Sequence, residues 1–291
     1  MDAIGYVGLG TMGGRMAGRL LGLGHQVYGT NRTRAKAEPL TERGLIWCDT
    51  PRAAAAAAPV VFSMVTDDDA LAAITSGPDG ILAGLTPGKL YIDMSTVSPT
   101  ASSRLGEQVR ATGAHMLAAP VSGSVRAVDE GSLAIIVGGD TAPFDRAAPL
   151  LRQLGTQVTH VGDNAQALLL KLAINDSLAV QLLAFSEGVL LAERGGVDRA
   201  KAIEVMLGSA VGSPSLRARA GFLLDPLADA WFDVALMQKD IRLALAAAAP
   251  SGLALPAATV ADDVLTRARD LGYADRDIAV MIEVLGRAAP S

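Results

Sequence analysis

The chain has 291 residues, half of them hydrophobic and 19% charged, with a net charge of −5 and one cysteine, Cys48. That length suits about two domains of ~150 residues. The apolar excess, much of it alanine and leucine, excludes a disordered chain and predicts helices that pack on one another or on a second subunit. The acidic balance offers no general attraction to nucleic acid or anionic membranes, and a lone cysteine excludes an intramolecular disulfide and fits a reducing, cytoplasmic setting.

An apolar run from Ala3 to Leu9 reads as the first strand, and it starts too early for a basic leader or a cleavage site. It runs into Gly8-Leu9-Gly10-Thr11-Met12-Gly13 and then a helix reaching Leu23. GxGxxG alone is a weak signal, but strand, glycine turn and helix together are the context that dinucleotide binding requires. Gly8 allows the tight turn, Gly10 lets the backbone approach a pyrophosphate, and Gly13 lets the helix pack closely on the strand. Leu9, Thr11 and Met12 complete the expected cofactor turn, because a helix start offers free N–H groups and a positive dipole end to phosphates.

A second strand, Gln26 to Thr30, ends at Asn31-Arg32-Thr33, where a dinucleotide fold reads the ribose ~20 residues beyond the glycines. An acidic residue there would select a free 2′-hydroxyl. Asn31 and Arg32, with Arg34 close behind, instead suit a 2′-phosphate, since the guanidinium fork matches phosphate oxygens. NADP(H) is therefore expected over NAD(H), the alternative being a solvated basic loop.

Further strands are expected at Val60 to Val65, Leu90 to Asp93, His115 to Ala119, Ala134 to Gly138 and Gln157 to Val161. Helices are expected at Thr33 to Arg43, through the alanine run Ala53 to Ala58, and at Thr100 to Thr112. This alternation predicts an α/β, Rossmann-like, doubly wound and mainly parallel sheet over 1–162, the NADP-binding domain. Ligands of such sheets lie beyond the carboxyl ends of the strands. Met64 and Val65, Ser95 and Thr96, and Ser122-Gly123-Ser124 are thus candidate cofactor and substrate residues.

After residue 162 the strand pattern stops, and 163–291 reads as an all-α substrate and oligomerisation domain. A long helix over about 165–194, ended by Gly195-Gly196, links the two. Helices follow at Arg199 to Leu207, Val234 to Ala248, Pro256 to Leu271 and Ala274 to Leu285. No stretch reaches the ~18 uninterrupted apolar residues of a spanning helix, so no membrane partner is expected.

The long helix carries Lys171 and Asn175 four residues apart on one face, amid leucines and alanines. A lysine on a largely buried helix is costly unless it is paired or functional, and burial lowers its pKa toward the range of an acid or base. Alternatively, Lys171 snorkels to the surface, and Ser95, Ser98, Ser122 and Ser124 are turn formers and helix caps. Three scattered histidines, His25, His115 and His160, with no carboxylate cluster at ligand spacing, point to no metal site.

Taken together, these residues resemble the β-hydroxyacid dehydrogenases, which include 3-hydroxyisobutyrate dehydrogenases and tartronate and glyoxylate/succinic semialdehyde reductases. The resemblance covers nearly the whole chain. It rests on Gly8 to Leu20, Asp93 to Pro99, Pro120 to Ser124, Gly131-Ser132-Leu133 with Val137-Gly138-Gly139, the helix holding Lys171 and Asn175, and Lys239-Asp240. It implies reversible hydride transfer between NADP(H) and a small hydroxyacid or semialdehyde carboxylate, with Lys171 as general acid/base and Asn175 orienting substrate. It also implies a carboxylate held by Ser122, Gly123 and Ser124, Thr96 and Lys239 near the nicotinamide, and a homodimer or homotetramer. Ala165, Ala167 and Ser124 depart from the family's glycines and are expected to narrow or repolarise the pocket. An imine reductase, similar in fold and cofactor motif but commonly bearing Asp or Tyr in place of the lysine, is the competing enzyme reading. A non-catalytic NADP-binding protein is the competing class.

Overall fold

The structure, a computed structural model, describes residues 2–226 and 230–287. Two compact units, Met1–Lys171 and Leu172–Ser291, divide within the long helix Asn164–Arg194.

The first unit is built on a nine-stranded sheet: β1 (Ala3–Val7), β2 (Gln26–Thr30), β3 (Ile46–Trp47), β4 (Val60–Ser63), β5 (Leu90–Asp93), β6 (His115–Ala118), β7 (Val121–Ser122), β8 (Ala134–Gly138) and β9 (Gln157–Gly162). The spatial order is β3-β2-β1-β4-β5-β6-β8-β7, with β9 pairing β8. The first six are parallel, each joined by a crossover. Because β1 lies between β2 and β4, the strand order reverses there, and the turns after β1 and β4 flank the crevice where such sheets bind nucleotides. The extension is partly antiparallel: β8 pairs antiparallel with both β6 and β7. Pro120 breaks that edge between β6 and β7, having no N–H to give the ladder, but its carbonyl still accepts from the Ile136 N–H at 3.0 Å.

Ile4, Tyr6, Phe62, Ile92, Leu117 and Val137 form the sheet's buried core, with the Tyr6 and Phe62 rings stacked at 5.8 Å. Strands buried on both faces read as continuous apolar runs, which is why the long ones were visible in sequence. The two-residue β3 and β7 were not, since so short a strand shows no periodicity. The expected helix Thr33 to Arg43 is a 3-10 turn, Arg34–Ala37, followed by the short helix Glu38–Thr41, with Pro39 in its first turn. The alanine run is helical over Pro51–Ala57, capped by the Thr50 hydroxyl.

The second unit is helical. Leu182, Phe185, Val189, Met237, Ile241, Leu265 and Met281 share its core. The expected helix Ala274 to Leu285 is instead a 3-10 turn, Ile278–Val280, and a short helix, Met281–Gly286. The reason is Asp277, fully buried, whose carboxylate takes the backbone N–H groups of Trp231, Phe232 and Ala279. Such side-chain to backbone bonds compete with a helix ladder. Helices Pro214–Ala218 and Ala220–Leu224 were not expected; the first is capped by the Ser213 hydroxyl on the Leu216 N–H. By length and mean hydropathy, 1.6, the helix Asn164–Arg194 could cross a membrane; 44% of its most apolar window is buried within the chain.

Candidate active site

Gly8 opens the turn after β1 with a φ of +93°, a conformation that favours glycine. A side chain there would strike the Met64 carbonyl oxygen, and one at Gly13 would strike the Gly8 carbonyl oxygen. Gly10 is different: a Cβ added there meets nothing within 4 Å. It stands at the N-terminus of the helix Thr11–Gly22 with no side chain capping the first N–H groups. Open backbone at an uncapped helix start is what a pyrophosphate needs, so Gly8 to Gly13 fit a dinucleotide.

Asn31 ties the end of β2 to this turn. Its Oδ1 accepts from the Leu9 N–H at 3.0 Å and its Nδ2 donates to the Thr33 carbonyl at 2.9 Å. Asn31 is thereby engaged by the backbone, and Arg32 and Thr33 beside it are both exposed. Arg34 is engaged elsewhere, its guanidinium 5.4 Å from the Trp47 ring centre.

Beyond β4 and β5 the chain bears Met64-Val65 and Ser95-Thr96. The Met64 N–H closes on Val7 and the Met94 N–H on Ser63, so the two strand ends are the last rungs of the ladder. Ser95, a candidate substrate residue by sequence, is fully buried. Its hydroxyl donates to Asp93 Oδ1 at 2.7 Å and accepts from the Val65 N–H at 2.9 Å. Thr96, next in the chain, is partly exposed.

Ser122, Gly123 and Ser124 lead from β7 into the helix Val125–Glu130. Gly123 has a φ of +143°, and a side chain on it would press on Leu133 and Ala127. Ser124 sits at the N-cap in ordinary extended geometry without a side-chain cap bond, so it replaces a glycine without strain. Ala167 is fully buried and its methyl lies against the backbone of Gly138. That departure therefore fills the core rather than a pocket.

Lys171 is buried, only 7% exposed, between Leu168 and Leu172. In the second unit Asn175, 3% exposed, donates from Nδ2 to Asp240 Oδ2 at 2.5 Å. Asp240 Oδ1 also pairs with Lys239 Nζ at 2.8 Å. The Lys239-Asp240 motif of the sequence carries no role for Asp240 there; in the structure it is a buried carboxylate bridging Lys239 and Asn175. The helix Val234–Ala248 brings it there, its start fixed by the Asp233 carboxylate on the Leu236 N–H.

Comparison with known proteins decides the family. Residues 3–162 match the NAD-binding domain of 6-phosphogluconate dehydrogenase, and 165–285 match the NAD-binding model of NADP-dependent 3-hydroxyisobutyrate dehydrogenase. The chain belongs to the β-hydroxyacid dehydrogenase family. Within it, the chain is 32% identical to 2-hydroxy-3-oxopropionate reductase of Escherichia coli, covering 97% of this chain and 96% of that one. It is 31% identical to glyoxylate/succinic semialdehyde reductase 2 of Arabidopsis thaliana, covering 98% and 80%. The solved 3-hydroxyisobutyrate dehydrogenase of Mycobacterium tuberculosis, with L-serine, superposes with a TM-score of 0.88 at 30% identity over 99% of this chain and 100% of the other. Psf3 in complex with NADP+ and 2-OPP gives 0.89 at 28% identity, over 97% and 99%. An imine reductase from a Pseudomonas species, at 19% identity and a TM-score of 0.65 over 98% and 99%, shares the fold alone. The family's members named here are oxidoreductases, and both halves of the chain carry nicotinamide-dinucleotide-binding models.

Proposed function

We propose that the protein interconverts a small semialdehyde carboxylate and its hydroxyacid with NADP(H), Lys171 serving as general acid/base. The observation that carries this reading is a lysine 7% exposed on an apolar helix, a position a lysine rarely takes without a task. When bound, the nicotinamide supplies or accepts the hydride. Gly8 to Gly13 hold the pyrophosphate on their backbone, Arg32 and Thr33 face the 2′-phosphate, and Met64, Val65 and Thr96 border the nicotinamide. Ser122, Gly123 and Ser124 receive the substrate carboxylate through N–H and hydroxyl donors. As the carbonyl oxygen gains charge, the Lys171 ammonium gives it a proton; in oxidation the neutral amine takes the hydroxyl proton. Asn175 orients the substrate, and Lys239 attends the cofactor.

A further part of the proposal is a homo-oligomer, dimer or tetramer. It is supported by Leu169, Leu170 and Leu191, which stay 44%, 43% and 77% exposed along one long helix, apolar area that a second copy would remove from water.

The decisive experiment is a panel of small aldehyde acids, hydroxyacids and cyclic imines assayed with phosphorylated and unphosphorylated cofactor, on wild type and Arg32→Asp. Turnover of an aldehyde acid with NADPH, and a shift toward NADH in Arg32→Asp, is the expected outcome. Turnover of imines alone, or equal use of NADH by wild type, contradicts it.

A further inference from the structure

Beneath the loops that follow β4 and β5 lies a polar chain wholly inside the first unit. Tyr91, Ser63 and Ser95 are fully buried and Asp93 is 1% exposed. Asp93 Oδ1 alone takes the Ser63 hydroxyl at 2.6 Å, the Ser95 hydroxyl at 2.7 Å and the Ser95 N–H at 3.3 Å. Ser63 has spent its one proton on Asp93, so the phenol of Tyr91, 2.7 Å away, donates to Ser63. Burial and the Asp93 charge both raise the Tyr91 pKa, which keeps that phenol a donor.

Only one arm of this chain leaves the strands. Ser95 turns its hydroxyl proton inward to Asp93, and its oxygen accepts the Val65 N–H at 2.9 Å. Val65 is the second residue after β4, so its N–H lies past the last rung of the ladder. Met64, beside it, limits the space at Gly8 and Gly13 of the glycine turn. The Ser63 and Tyr91 arm, by contrast, ends inside the sheet.

We propose that Asp93 is a positioning residue for cofactor binding, acting through Ser95 to fix the Val65 and Thr96 loops against the glycine turn. The inference rests on the cofactor reading given above, in which those loops border the nicotinamide. Asp93 touches no cofactor or substrate itself. What it supplies is an acceptor that orients the Ser95 hydroxyl, so that its oxygen is presented to the Val65 amide. A buried network with every donor directed holds one geometry in place of several.

The test compares two serines that bond to the same carboxylate oxygen. NADPH affinity is titrated by fluorescence in wild type, Ser95→Ala, Ser63→Ala, Asp93→Ala and Asp93→Asn, alongside Tm, KM and kcat. Ser95→Ala and Asp93→Ala are expected to weaken NADPH binding ~10-fold, the order of one lost buried hydrogen bond, raising the KM for NADPH more than they lower kcat. Ser63→Ala is expected to lower Tm while leaving NADPH affinity within ~3-fold. Asp93→Asn keeps an acceptor oxygen and is expected to restore affinity to within ~3-fold of wild type. Equal effects of Ser63→Ala and Ser95→Ala, or affinity unchanged in Ser95→Ala and Asp93→Ala, overturn the positioning role. Wild-type protein that binds neither NADPH nor NADH overturns the cofactor reading and this inference with it.

Discussion

Lys171 and Asp93 are both buried ionisable groups, 7% and 1% exposed, and their surroundings divide them into a proposed actor and a proposed support. Lys171 lies on a helix among leucines, while Asp93 sits at a strand end facing serines and a tyrosine. Burial raises the Asp93 carboxyl above its ordinary value, against the opposing hydrogen bonds from Ser63 and Ser95. A raised carboxyl binds its proton more tightly in the folded state, so the stability it contributes is present at low pH and is lost as pH rises through the raised value. Asp93→Asn, which stays neutral, is therefore expected to gain Tm relative to wild type as pH rises above the ordinary carboxyl value of about 4. Thermal scans across that range check it, and a difference that is flat or shrinks with pH contradicts it. The sequence showed Asp93 and Ser95 as neighbours in a polar run after a strand. It could not show that Ser95 turns inward, because the amide its oxygen accepts from belongs to Val65, thirty residues away after the adjacent strand.

At the scale of elements, the glycine turn was legible because each glycine answers a separate constraint: a left-handed φ at Gly8, close packing at Gly13, open space at Gly10. Those constraints separate the expected variants. Gly10→Ala meets no protein atom within 4 Å, and alanine at a helix N-cap costs only about 1 kcal/mol. It is expected to fold with a Tm close to wild type and to bind NADPH more than ~10-fold more weakly, since its methyl enters the space a pyrophosphate takes. Gly8→Ala, colliding with the Met64 carbonyl, is expected to lose stability as well as binding. Calorimetry with a cofactor titration distinguishes the two, and unimpaired binding by Gly10→Ala would count against the placement of the pyrophosphate. Elements set by distant partners were less legible. Asp277 diverts the segment after Ala274 from a helix by capping Trp231 and Phe232, and no local pattern announces that.

For the whole molecule, the two family models cover 3–162 and 165–285. The compact units divide after Lys171, because the first turns of the long helix pack on the sheet: Asn164 accepts the Ala118 N–H and Ala167 lies against Gly138. Lys171 thereby belongs with the glycine turn and the Ser122–Ser124 turn in one unit, while Asn175 belongs with Asp240 and Lys239 in the other. Light scattering is expected to give a mass at least twice that of the single 29.8 kDa chain, and Leu169→Glu combined with Leu191→Glu to reduce it, because a charge on a covered apolar face is costly. A monomer in the wild type would contradict the oligomer.

The central claim is that Lys171 moves the proton, and Lys171→Ala tests it most directly when turnover of an aldehyde acid and NADPH affinity are measured on the same preparation. The expected result is a fall in kcat of ~10²–10⁴-fold, the usual worth of general acid catalysis, with NADPH affinity within ~3-fold of wild type. A variant that keeps more than about a tenth of wild-type kcat contradicts the role assigned to Lys171.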